Sequence, residues 1–115
     1  MPLDFEPLAQ AGSMLGSGAL VVIGDRANLL AAATNVLRFF RNESCGKCVP
    51  CRSGSHKAHR ILTDALARGD SADDVDRSID QLEETMRLTS ICGLGQVALG
   101  PVMSVLRAQR STSPD

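Results

Sequence analysis

From residue 25 to about residue 110, apolar side chains recur every three or four positions, the spacing that gathers them on one face of an α-helix. Leu29, Leu30, Ala33, Val36, Leu37 and Phe40 share such a face up to about Arg41, with Asp25 as a candidate N-cap. A second helix is predicted from near Ser53 to about Arg68, with Ala58, Ile61, Leu62, Ala65 and Leu66 inward and Gly69 as its stop. In the third, Val75, Ile79, Leu82 and Met86 alternate steps of four and three, the seam of an antiparallel bundle. Ser71 with Asp74 resembles a capping box at its start, and Asp73 and Asp76 add negative charge near the positive helix end. A shorter fourth helix opens at Pro101 and buries Val102, Val105 and Leu106.

Residues 1–24 follow another rule. Pro2, Pro7, Gly12, Gly16, Gly18 and Gly24 punctuate them, and Leu20-Val21-Val22-Ile23 is a short β-branched run that predicts one strand. A lone strand needs a neighbour to complete its hydrogen-bond ladder, so 1–24 reads as the remnant of an upstream domain or linker. The expected fold is mainly α: a four-helix bundle over 25–110, preceded by a short extended segment with one strand and followed by a frayed tail over 111–115.

Composition narrows the function. Twelve Lys+Arg against 13 Asp+Glu leave a net charge of −1, and three Phe without Trp or Tyr offer no stacking platform, which argues against a nucleic-acid binder. Asp4 and Glu6 stand where a secretory leader would be basic, and the apolar run at 19–23 is too short to enter a membrane. A cytoplasmic setting is expected, and there cysteines are metal ligands or reactive groups more often than disulfides.

All four cysteines fall in breaks between helices. Cys45, Cys48 and Cys51 form a C-x-x-C-x-x-C run between the first and second, and Cys92 lies between the third and fourth. In an up-down-up-down bundle those two connections share one end. Three thiolates at every third residue wrap one corner of a compact cluster, with Gly46 and Pro50 shaping the gaps, and a cubane needs a fourth thiolate that Cys92 supplies. Arg38, Arg41, Lys47, Arg52, Lys57 and Arg60, opposed in residues 38–60 by Glu43 alone, would offset the negative charge of a [4Fe–4S] site. A zinc-stabilised structural or interaction module is the alternative, although zinc usually takes paired knuckles. His56 and His59, three apart on a helix, read as exposed helix residues beside the site, since four thiols already complete a cubane. The Gly12-x-x-x-Gly16-x-Gly18 spacing precedes its strand, so it reads as a tight turn and not as a dinucleotide loop. The Asp and Glu residues of 70–84 read as a solvated helix face.

Glu43-Ser44-Cys45-Gly46-Lys47-Cys48-Val49-Pro50-Cys51-Arg52, followed by Ile91-Cys92-Gly93-Leu94-Gly95-Gln96, resembles the C-terminal iron–sulfur domain of NADH-binding flavoprotein subunits. That family includes the 51-kilodalton-type subunit of respiratory complex I, the beta subunit of NAD-dependent formate dehydrogenase and the diaphorase subunit of NAD-reducing hydrogenase. The segments Pro2-Leu3-Asp4-Phe5-Glu6 and Ala11 to Gly18 extend the resemblance upstream. It implies an upstream domain holding FMN and NADH, and a helical bundle whose cluster accepts single electrons from the flavin. Cys45, Cys48, Cys51 and Cys92 match the ligand positions, with Lys47 and Arg52 as tuning residues beside them. The glycine-rich flavin and NADH loops lie outside this sequence, so the chain alone is not expected to be catalytic. Expected partners are the flavin/NADH domain of the same subunit and other iron–sulfur subunits, in a cytoplasmic assembly that can be peripheral to a membrane but does not insert into it.

Overall fold

In a computed structural model, which describes residues 2–18, 20–24, 28–69 and 72–112, six helices follow one another. They are α1 (Phe5–Gln10), α2 (Leu29–Glu43), α3 (Val49–Arg68), α4 (Ala72–Thr89), α5 (Gly93–Val97) and α6 (Gly100–Thr112).

The second helix, α2, starts at Asn28, whose side-chain oxygen accepts the Ala31 N–H at 3.0 Å. The expected cap Asp25 and the capping residue Ser71 lie outside the described residues. Leu30, Ala33, Thr34 and Leu37 form the buried stripe of α2, and the Thr34 hydroxyl donates to the Leu30 carbonyl at 2.7 Å. Leu29 and Val36, expected inward, are instead exposed, because the buried stripe is narrower than the run of apolar residues. The third helix ends at Gly69, whose φ of 71° is the left-handed stop that its sequence predicted and whose N–H reaches the Ala65 and Leu66 carbonyls.

Helices α2, α3, α4 and α6 pack in a ring, α2 beside α3 and α6, and α4 beside the same two. This is the expected four-helix bundle, and α5 lies across one end against α3 and α4. Leu37, Leu62, Ile79, Met86, Leu99, Val102 and Leu106 fill the centre. Gly54 admits Met86 so closely that an added Cβ would stand 2.7 Å from its sulfur. The final helix runs to Thr112.

The N-terminal expectation needs correction. Among the described residues there is no strand: Leu20–Ile23 is irregular, and Val22 is 97 % exposed. No neighbouring strand takes up its backbone groups, and a β-branched run alone does not supply one. The unexpected helix is α1, capped by Asp4, which accepts the Phe5 N–H at 2.8 Å. Pro7 sits in its first turn, where a helix has no use for an N–H. Gly12, Gly16 and Gly18 all have positive φ, so the glycine spacing makes turns as read.

Candidate metal centre

The connection from α2 to α3 is a short loop that runs directly into a helix start. Ser44 closes α2 in extended conformation, Gly46 turns the chain at φ 75°, and Cys48 is the N-cap of α3. The sequence reading placed this helix start near Ser53; it comes at Val49, because Pro50 fits a helical first turn as well as it fits a loop. Cys51 therefore sits on the first turn of a 20-residue helix and is buried, whereas Cys48 is half-buried and Cys45 exposed. Cys92 is exposed and is the N-cap of α5. All four are free thiols.

A small polar web fixes the loop. The Ser44 hydroxyl stands 3.2 Å from the Cys51 sulfur and accepts the Gly46 N–H at 3.3 Å. Arg52 reaches back to donate to the Gly46 carbonyl at 3.0 Å. The two breaks meet through backbone. The backbone N–H groups of Ile91 and Cys51 near Cys48 hold its thiol below the ordinary range, outweighing partial burial, and the Arg52 charge adds to them. On the other side Gly95 lies on Cys51: a Cβ there would stand 2.9 Å from the Cys51 Cβ. The segment carrying Cys92 thus touches both Cys48 and Cys51.

Among the described residues, no three Cys, His, Asp or Glu side chains converge tightly enough to hold one metal ion. A cubane makes a different demand, since each of its thiolates takes a separate iron. The donor set fits such a group: four thiols, amide donors and a hydroxyl near them, and a nearby guanidinium offsetting negative charge. Of the two residues expected to tune the site, Arg52 helps to lower the Cys48 pKa, while Lys47 is an exposed side chain in the loop.

The histidines stand apart. His59 Nδ1 is 3.1 Å from Arg41 Nη1, which makes that nitrogen the acceptor, and burial followed by the charges of Arg41, Arg38 and His56 holds its pKa below the ordinary value. With His56, Lys57 and Arg60 it lines an open cleft of about 630 Å³ that none of the cysteines lines. Sequence reasoning missed Ser44, Ser90 and Gly95 as parts of the site. Ser44 and Gly95 lie in the stretches that carry the resemblance, but their packing against Cys51 is a tertiary fact, and Ser90 has no signal beyond nearness to Cys92.

No helix among the described residues is long and apolar enough to cross a membrane. Residues 31–113 match the family profile described as the NADH-ubiquinone oxidoreductase-F iron-sulfur binding region. The chain is 38 % identical over 105 residues to "NADP-reducing hydrogenase subunit HndC" of Solidesulfovibrio fructosivorans, covering 90 % of this chain and 21 % of that protein. It is 36 % identical over 107 residues to the F-type subunit of NADH-quinone oxidoreductase from Mycobacterium tuberculosis (strain ATCC 25618 / H37Rv), covering 93 % and 24 %. To "NADH dehydrogenase [ubiquinone] flavoprotein 1, mitochondrial" of Dictyostelium discoideum it is 34 % identical over 113 residues, covering 98 % and 23 %. The chain thus spans under a quarter of the length of each of these three relatives. The family's iron–sulfur character decides between the two metals that the cysteine spacing left open. Sequence, helical bundle and cysteine end agree: the chain belongs to the [4Fe–4S]-binding region family of NADH-ubiquinone oxidoreductase F-type subunits.

Proposed function

We propose that this chain is the electron-transfer domain of an NADH-linked multisubunit oxidoreductase and holds one [4Fe–4S] cluster through Cys45, Cys48, Cys51 and Cys92. The observation that supports the ligand assignment is the junction of the two breaks, where Gly95, three residues past Cys92, rests on Cys51. When bound, a cluster of this kind takes up and gives back single electrons. The chain's own residues prepare its thiolates. Amide N–H groups and Arg52 favour the anionic form of Cys48, the Ser44 hydroxyl satisfies Cys51, and α3 holds Cys51 on a rigid first turn.

In this reading residues 25–110 form the cluster domain, and 1–24 lead from a preceding domain that holds FMN and NADH. Electrons pass from that flavin to the cluster and on to other iron–sulfur subunits, in a cytoplasmic complex of the NADH dehydrogenase, formate dehydrogenase or hydrogenase type. The names of the relatives support it, since each is an NADH- or NADP-linked oxidoreductase subunit or flavoprotein. Exposed Cys45 and Cys92 leave the cysteine end open toward a neighbouring domain.

Anaerobic reconstitution tests the assignment. It should give about four iron and about four sulfide per chain with a visible band that bleaches on reduction. Cys92→Ser should remain mostly helical yet lose that stoichiometry. Stoichiometric zinc with no labile sulfide in the parent, or a full cluster in Cys92→Ser, would refute it.

A further inference from the structure

Ser90, between α4 and α5, has a buried side-chain oxygen with no hydrogen-bond partner among the described residues, and the residue is only 7 % exposed. Its backbone is fully engaged: the N–H donates to the Met86 carbonyl at 3.0 Å, and the carbonyl accepts from Gln96 Nε2 at 3.2 Å. The hydroxyl alone is left over. Folded chains rarely leave a buried hydroxyl unmet, because its hydration is lost and nothing replaces it. A persistent orphan therefore points to a partner that the polypeptide does not supply.

Its position says which partner. A Cβ on Gly95 would fall closer than 3.0 Å to three atoms: Ser90 Oγ, Ser90 Cβ and Cys51 Cβ. The Ser90 hydroxyl and Cys51 thus flank the same glycine, whose missing side chain is what brings them together. Ser44 already holds the Cys51 sulfur from another direction at 3.2 Å. Elsewhere in the structure, the buried hydroxyls of Thr34 and Ser55 meet backbone carbonyls, of Leu30 and Arg52. Ser90 is the exception, and it lies beside the buried cysteine.

We infer that Ser90 sets the reduction potential of the cluster: in the loaded protein its hydroxyl donates a hydrogen bond to sulfur at the Cys51 corner. The inference rests on the reading that Cys51 is a ligand. A donor at sulfur stabilises the more negative, reduced state more than the oxidised one, so it raises the potential. One electron is added on reduction and no proton moves; the hydroxyl keeps its hydrogen throughout. Ser90 is a positioning residue, acting on the cluster's charge without ligating iron.

The test is to reconstitute the parent, Ser90→Ala, Ser90→Gly and Ser90→Thr anaerobically. Iron and sulfide are counted, the potential is read by redox titration followed by electron paramagnetic resonance, and the unloaded chains are melted alongside. Ser90→Ala should hold a full cluster at a lower potential than the parent, while Ser90→Thr, which restores a hydroxyl, should recover most of the shift. The unloaded Ser90→Ala chain should melt no lower than the unloaded parent, since it loses only an unmet group. Ser90→Gly, just past the end of α4, provides the same potential reading if the alanine methyl disturbs loading. An unchanged potential in a fully loaded hydroxyl-less variant would overturn the inference. So would a lower melting temperature for unloaded Ser90→Ala, because a buried water would then be the partner. A parent that takes up no iron would instead refute the ligand assignment itself.

Discussion

Gly95→Ala separates close packing at the cysteine end from chance proximity. The added Cβ would stand 2.6 Å from Ser90 Cβ and 2.9 Å from Cys51 Cβ. The Ser90 oxygen could rotate away, but β-carbons are fixed to their backbones, so α5 itself must lift from α3. Overpacking of this kind costs about 1–3 kcal/mol, and the better helix propensity of alanine returns up to ~1 kcal/mol. A net loss of about 1–2 kcal/mol corresponds to a melting temperature lower by roughly 5–10 °C for a domain of this size. Because the lifted segment carries Cys92, anaerobic reconstitution should also give substoichiometric iron and sulfide. Calorimetry and metal analysis read the two effects, with Gly100→Ala as control, where a Cβ meets nothing within 4 Å. A Gly95→Ala protein that melts with the parent and loads fully would refute the close approach.

Two further outcomes follow from the bundle. Leu62 is fully buried at the centre, so Leu62→Ala should cost about 2–5 kcal/mol in chemical denaturation, and a loss below ~1 kcal/mol would show that the core is not where the helices place it. The lowered pKa of His59 has a definite sign: the folded chain binds its proton less readily than the unfolded one, so its contribution to stability is full above about pH 6.5 and is lost as pH falls through the folded pKa. Burial is the first cause and the Arg41 charge the second, so Arg41→Gln should move the His59 titration part of the way back up and reduce the acid sensitivity, as read by ring-proton NMR and by melts at about pH 7.5 and 5.5. An unmoved titration would disprove the charge coupling.

The helices were legible because their periodicity is long and their faces distinct: Leu30, Ala33, Leu37, Ala58, Leu62, Ala65, Val75, Ile79 and Met86 are buried as the spacing assigned. Helix starts were not. Pro50 suits a loop and a helical first turn equally, and Pro7 hid α1 in the same way. The run at Leu20–Ile23 carries strand propensity, but a strand is a relation between two segments and one segment cannot express it. Leu29 and Val36 show that apolar spacing marks a candidate face without saying how much of it meets a neighbour. The four cysteines were legible as a candidate ligand set from spacing and bundle topology together, and the approach of Gly95 to Cys51 agrees with the shared end that topology predicted. The close approach of Gly95 to Cys51 was not itself legible, because it joins residues about forty positions apart.

The placement of the two cysteine-bearing breaks at one end of the bundle has a mechanical consequence. The bundle is two helical hairpins, α2–α3 and α4–α6, and a group bound to Cys51 and Cys92 cross-links them across 41 positions of chain. Treated as a closed loop of that length, such a tie withdraws roughly 4 kcal/mol of freedom from the unfolded ensemble. The side chains that fill the core, Leu37, Leu62, Ile79 and Leu106, belong to the helices and owe nothing to that tie. A group so bound would be a clasp and not a nucleus, fastened over hairpins that already hold each other.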